Sequence, residues 1–158
     1  MYPSFSTIFS TVAAMAMIAS AAASGSPMSH AAAVAKLNAN GITIASSGGC
    51  TDRNNPNCTS LQGVLSGTVD TVIALKGYSG CSSLVITGGT ETGHGTGSGK
   101  THWNGYKLDL RHVACLDNYI HNSFAFAFVR SDGARCWKAA SSGNLYCDEG
   151  NHWDIVFN

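Results

Sequence analysis

The spacing of hydrophobic residues predicts one main helix in the middle of the chain. Between residues 61 and 77 these residues recur at helical spacing, which indicates an amphipathic helix that ends at Gly77. We expect its buried side to consist of Leu61, Val64, Leu65, Thr68, Val69, Val72 and Ile73.

Alternation of apolar and polar residues, the pattern of a half-buried strand, replaces helical spacing in residues 105–112. There Tyr106, Leu108 and Leu110 alternate with Lys107, Asp109 and Arg111. Runs rich in β-branched or aromatic residues predict further strands at 82–89, 124–130 and 152–157, with a hairpin or long loop at 134–150 and short helices at 30–42 and 116–122. This order predicts an α+β domain in which one main helix packs on a small antiparallel sheet.

The first residues of the chain have the composition of a signal peptide. Residues 8–19 form an apolar run too short to span a bilayer, and small residues near Ala23 fit a cleavage site. The alternative, a buried N-terminal helix, is less favoured because the segment has no polar face. We therefore expect a signal peptide at 1–23, an N-terminal arm at 24–48 and one domain at 49–158, in a secreted, extracellular protein without membrane attachment after cleavage.

The cysteines and the charge agree with export and limit the partners. Six cysteines in a chain of 158 residues indicate three disulfides. We expect pairing between neighbours along the chain: Cys50–Cys58, Cys81–Cys115 and Cys136–Cys147. With nine acidic and nine basic residues, the chain carries no excess charge to attract nucleic acid or a membrane surface. We expect a monomer.

The stretch "HGTGSGKT" is close to a phosphate-binding P-loop but does not fit one. Gly99, Lys100 and Thr101 match the end of that motif, whereas His94 stands at its first glycine. The motif should also open a helix whose N-terminus faces the phosphate, and here a predicted strand follows. We therefore expect no nucleotide and treat the glycines as a flexible loop beside a site.

Four residues further along the chain have the chemistry of a catalytic zinc site. His102 and Asp109 flank the turn at Gly105, and Glu149 and His152 lie three residues apart before the last predicted strand. Catalytic zinc takes three protein ligands and leaves a position for water, and His102, Asp109 and His152 would supply those ligands for one Zn²⁺ per chain. Glu149 would be the carboxylate that moves the water's proton.

Residues 85–153 resemble the zinc D-alanyl-D-alanine carboxypeptidases, peptidoglycan peptidases that share their fold with the hedgehog signalling domain. The resemblance rests on "VITGG", "THWNGYKLD" and "EGNHW". It implies that fold, zinc on His102, Asp109 and His152, and Glu149 as catalytic base. It also implies a metallopeptidase that cleaves short peptides, with cell-wall stem peptides as the substrate class, by carboxypeptidase or endopeptidase action.

The chain departs from the family pattern where substrate would bind. The family has an arginine shortly after its Ser/Thr-Gly turn, whereas this chain has Glu91, and Lys107 replaces the usual alanine before the aspartate. His94, Glu91 and Trp103 are candidate substrate contacts. Two alternatives therefore stay open: a non-catalytic zinc-containing binding or effector protein of the same fold, and a disulfide-held effector without metal.

Overall fold

The computed structural model describes residues 24–95 and 97–158, which form three helices and seven strands. The predicted signal peptide lies outside the described residues. The helices are α1 (His30–Asn38), α2 (Ser66–Ser79) and α3 (Ala114–Ser123). The strands are β1 (Ile42–Ile44), β2 (Leu84–Gly88), β3 (Lys107–Arg111), β4 (Ala125–Val129), β5 (Arg135–Lys138), β6 (Leu145–Asp148) and β7 (His152–Val156).

The strands of the described residues form one mixed sheet in the order β1-β2-β3-β7-β6-β5-β4. β1 pairs with β2 in parallel and every other neighbouring pair is antiparallel. The α+β class is confirmed, but the sheet is larger than the small antiparallel sheet that we expected, and it is mixed because β1 runs parallel to β2. The sequence did not reveal β1 because a strand of three residues is too short to show alternation.

The predicted main helix is present as α2, with both ends shifted toward the C-terminus. Leu61 and Val64 are buried, as expected, but they lie in the turns before the helix, where the Leu65 amide donates to Gly105 O. The helix continues past Gly77 and stops at Gly80, which adopts the left-handed conformation (φ 67°) that glycine tolerates best.

The segment expected as an N-terminal arm belongs to the folded body. Its residues Ala33, Leu37 and Ile42 are fully buried in the main core. Leu37 comes from α1 and Ile42 from β1, so this segment contributes a helix and an edge strand to the domain.

Three disulfides join the six cysteines in the neighbour-to-neighbour pairing expected from the sequence. Cys136 and Cys147 lie directly opposite each other on β5 and β6, which form the predicted hairpin. Cys81–Cys115 ties the end of α2 to the start of α3. None of the helices within residues 24–95 and 97–158 has the length and apolar character needed to cross a membrane.

The two faces of the sheet have different roles at its centre. Leu108 and Leu110 of β3 and Ile155 of β7 are fully buried in the core that the helices cover. Because successive side chains of a strand point to opposite faces, the residues between them point away from this core. Asp109 and Asp154 are such residues, and they lie directly opposite each other in the β3–β7 pair.

Candidate metal centre

His102 is held beside both aspartates by the turn that precedes β3. Its Nε2 lies 3.3 Å from Asp109 Oδ1 and 3.5 Å from Asp154 Oδ1. The turn needs Gly105, whose φ is +80° and whose place could not take a Cβ, since that atom would lie 2.5 Å from Gly63 O. The chain then enters β3, so the segment after Thr101 has no helix that could face a phosphate.

The environment of His102 fixes which ring nitrogen faces the aspartates. Its Nδ1 lies 2.7 Å from Gly89 O, and because a carbonyl oxygen only accepts, Nδ1 carries the proton of the neutral ring. Nε2 is then free to bind a metal. Burial lowers the pKa of His102, but the hydrogen bonds and charges of Asp109 and Asp154 outweigh burial and raise it to about 9.

His94, His102 and Asp109 form a group that could hold a metal ion, because one ligand atom from each lies within 4.8 Å of the other two. His94 Nδ1 is 3.9 Å from Asp109 Oδ2. Its Nε2 is 3.2 Å from Glu91 Oε1, so Glu91 can accept the Nε2 proton and leave Nδ1 facing the centre. The sequence gave His94 only the role of a substrate contact.

His152 and Glu149 reach the same centre from the turn between β6 and β7. His152 Nε2 lies 3.6 Å from Asp109 Oδ1 and 3.4 Å from Glu149 Oε2. Gly150, with φ at +86°, allows the tight turn, and the Glu149 amide donates to the carbonyl of His152. His102 and His152 therefore lie beside the same oxygen of Asp109, and Glu149 lies beside His152.

Two aspartate oxygens in the centre lack a donor when the His102 ring is neutral. Asp109 Oδ1 and Asp154 Oδ1 are buried, and in that state neither has a hydrogen-bond partner among the described residues. A buried acceptor without a partner costs about 1–3 kcal/mol, and more when it is charged. A bound cation would satisfy both atoms, so this chemistry fits a metal ion.

The other oxygen of Asp154 is neutralised by two cations, a role that the sequence did not reveal. Asp154 Oδ2 accepts from Lys107 Nζ at 2.6 Å and from Arg130 Nη1 at 2.8 Å. Burial raises its pKa, but His102 and Lys107 outweigh burial and hold the pKa of Asp154 well below its usual range.

Arg130 binds both Asp154 and Glu149, the predicted base. It follows β4, and its Nη2 lies 2.6 Å from Glu149 Oε1, while its guanidinium also binds Asp132. No pattern in the sequence indicated Arg130, because its contacts with Glu149 and Asp154 join segments that lie 19 and 24 residues apart along the chain. A cleft of about 550 Å³ opens beside Glu149, lined by residues 132–135 and 148–150.

The other two candidate substrate contacts differ in exposure. Glu91 is buried, with only 3% of its surface exposed, and its carboxylate accepts from the backbone amides of Ser60 and Gly89. Trp103 is 37% exposed beside His102, and the Arg53 guanidinium lies 3.9 Å from the centre of its ring. Trp103 is therefore free to meet a ligand on one side, whereas Glu91 faces the protein.

Compared with known protein families, curated proteins and solved structures, the chain matches none. We therefore infer function from the chemistry of the metal centre.

Proposed function

We propose that the protein is a secreted zinc metallopeptidase that hydrolyses short peptides, with cell-wall stem peptides as the substrate class. The observation that carries this proposal is the partnerless Asp109 Oδ1, which has the Nε2 atoms of His102 and His152 at 3.3 and 3.6 Å. Ligand atoms ~2.1 Å from a tetrahedral zinc ion lie about 3.4 Å from one another. The spacing from each imidazole to Asp109 is close to this value and supports zinc. The resemblance in "THWNGYKLD" and "EGNHW" supports the hedgehog/DD-peptidase-like fold.

The orientation of the rings favours His152 over His94 as the second imidazole ligand. A metal ion lies close to the plane of each imidazole that binds it. The His94 and His102 rings are stacked, with centroids 4.1 Å apart and an angle of 21° between their planes, so one nearby ion cannot lie in both planes. We assign His102, Asp109 and His152 as ligands and place His94 beside the open coordination position.

Glu149 would act as the base. Zinc bound here would supply a Lewis acid and lower the pKa of a coordinated water to about 7. Arg130 holds Oε1 of Glu149, so Oε2, 3.4 Å from His152 Nε2, faces the centre and would take a proton from the water and deliver it to the leaving amine. Peptide would enter through the cleft beside Glu149.

The first test is metal content by mass spectrometry of the purified mature protein. We expect one zinc per chain, lost in His152→Ala and retained in the control His121→Ala, which removes an exposed histidine of α3. Glu149→Gln should retain zinc and lose hydrolysis of stem-peptide analogues. Full activity in Glu149→Gln would refute the role of the base, and a chain that takes up no metal would refute the centre.

One observation favours a second candidate, a zinc-containing binding protein without catalysis. Oε1 of Glu149 is tied to Arg130 at 2.6 Å, so one of the two oxygens of the proposed base is engaged in an ion pair with the protein. This candidate predicts that the wild-type protein binds one zinc per chain and cleaves no member of a peptide library.

A further inference from the structure

We propose that Glu91 is the positioning residue that orients both imidazoles of the His94–His102 stack toward Asp109. The inference rests on the metal centre of the proposed function and not on peptidase activity. Glu91 stands where the family pattern has an arginine, so the inference also gives this departure a physical reason.

The carboxylate of Glu91 fastens the turn after β2 to a distant segment. Oε2 accepts from the Ser60 amide at 2.7 Å, and Oε1 accepts from the Gly89 amide at 3.0 Å. The backbones are tightly packed here, because a Cβ on Gly89 would lie 2.0 Å from Ser60 O. A buried carboxylate that accepts from several amide groups has little freedom to move.

Each imidazole depends on this turn in a different way. Glu91 contacts His94 directly, with Oε1 3.2 Å from Nε2. It acts on His102 through Gly89, whose amide donates to Glu91 and whose carbonyl accepts from His102 Nδ1 at 2.7 Å. One side chain thereby holds two stacked rings, His94 directly and the proposed metal ligand His102 through Gly89, and such support behind a metal-binding histidine is usual.

An arginine at position 91 could not fill this role. The Ser60 and Gly89 amides and His94 Nε2 all face the side chain as donors, and a guanidinium has no acceptor to offer them. The positive charge of the centre comes instead from Arg130 and Lys107, which bind Asp154 from the opposite side.

Thr90 offers a matched control for the test. Like Glu91 it is buried in the turn, and its hydroxyl donates to the carbonyls of Ser60 and Gln62, but the described contacts of its side chain include neither imidazole. Thr90→Val should therefore destabilise the turn without changing the orientation of the His94 and His102 rings. The experiment measures the Kd for zinc by competition with a chromophoric chelator, together with the Tm of the metal-free protein, for wild type, Glu91→Gln and Thr90→Val.

We expect the Kd of Glu91→Gln to rise by about tenfold or more, the usual effect of removing a group that holds a metal ligand. Thr90→Val should lower Tm and leave the Kd within about twofold of wild type. An unchanged Kd in Glu91→Gln would overturn the inference, and so would an equal rise of the Kd in Glu91→Gln and Thr90→Val. If Glu91→Gln does not fold, Glu91→Asp replaces it in the test. The shorter side chain keeps the charge but cannot reach both Ser60 and His94. The inference requires that the Kd of Glu91→Asp for zinc rise by about tenfold. A wild-type protein that binds no zinc would instead refute the metal centre.

Discussion

Zinc binding should depend steeply on pH, because a metal must displace the proton that His102 holds in the metal-free protein. Asp109 and Asp154 raise the pKa of this ring to about 9, from an ordinary value of 6.5. Below pH 9 the buried ring is therefore mostly protonated, and its Nε2 is available to zinc only in the minor, neutral form.

The magnitude follows from this competition. Below the pKa each fall of one pH unit reduces the neutral fraction tenfold, so the apparent Kd for zinc should rise about tenfold for each unit between pH 8.5 and 6.5. An imidazole with an ordinary pKa would give a Kd that is nearly constant over this range.

The same proton should stabilise the metal-free protein. A pKa raised from 6.5 to about 9 contributes stability that is complete below pH 6.5 and is lost as the pH rises to 9. The shift corresponds to roughly 3 kcal/mol at most. The Tm of the metal-free protein should therefore fall between pH 6.5 and 9, whereas zinc should stabilise the protein increasingly over that range.

Chelator competition at fixed ionic strength from pH 6.5 to 9, with differential scanning fluorimetry with and without zinc, measures both effects. Asp154→Asn removes one of the two carboxylates that raise the pKa of His102 but leaves the proposed ligands in place, so its Kd should level off at a lower pH. A wild-type Kd that is constant between pH 7 and 8.5 would refute the assignment of His102 as a protonated ligand.

Three further predictions concern residues around the centre. Arg130→Ala should retain zinc and lose about 10- to 100-fold in kcat, the value of one charge-assisted hydrogen bond to Glu149. The control Lys138→Ala, an exposed residue of β5 that does not line the cleft, should stay near wild type, and equal rates for the two variants in steady-state peptide hydrolysis would contradict this. Replacing the Cys136–Cys147 pair by alanines should lower stability by about 2–4 kcal/mol, as urea unfolding would show, and an unchanged midpoint would mean that this bridge does not restrain the unfolded chain. Leu37→Ala should cost about 2–5 kcal/mol, since its side chain is fully buried, and a loss below ~0.5 kcal/mol would show that α1 is not part of the stable core.

Local patterns in the sequence were sufficient for the elements whose side chains alternate. Leu108 and Leu110 face the core and Asp109 faces the centre, as alternation predicts for β3. The neighbour-to-neighbour pairing of cysteines could be predicted for Cys136 and Cys147 because both lie in one short hairpin.

The features that the sequence did not reveal depend on contacts between distant segments. Asp154 comes to lie beside Asp109 only because β7 pairs with β3, and Arg130 reaches Asp154 from the far edge of the sheet. The structural role of Glu91 depends on Ser60, 31 residues earlier in the chain. Such pairings depend on the topology of the sheet, and the periodicity of residues within one segment carries no information about that topology.

The position of β7 determines when the metal centre can form. Although it is the last strand along the chain, β7 lies between β3 and β6 in the middle of the sheet. Until residues 152–156 have been synthesised, β3 has no partner on one side and the hairpin of β5 and β6 is not joined to the rest of the sheet. A late, non-local pairing of this kind forms slowly compared with the local hairpin of β5 and β6. Completion of the sheet and assembly of the metal centre are therefore one event in folding.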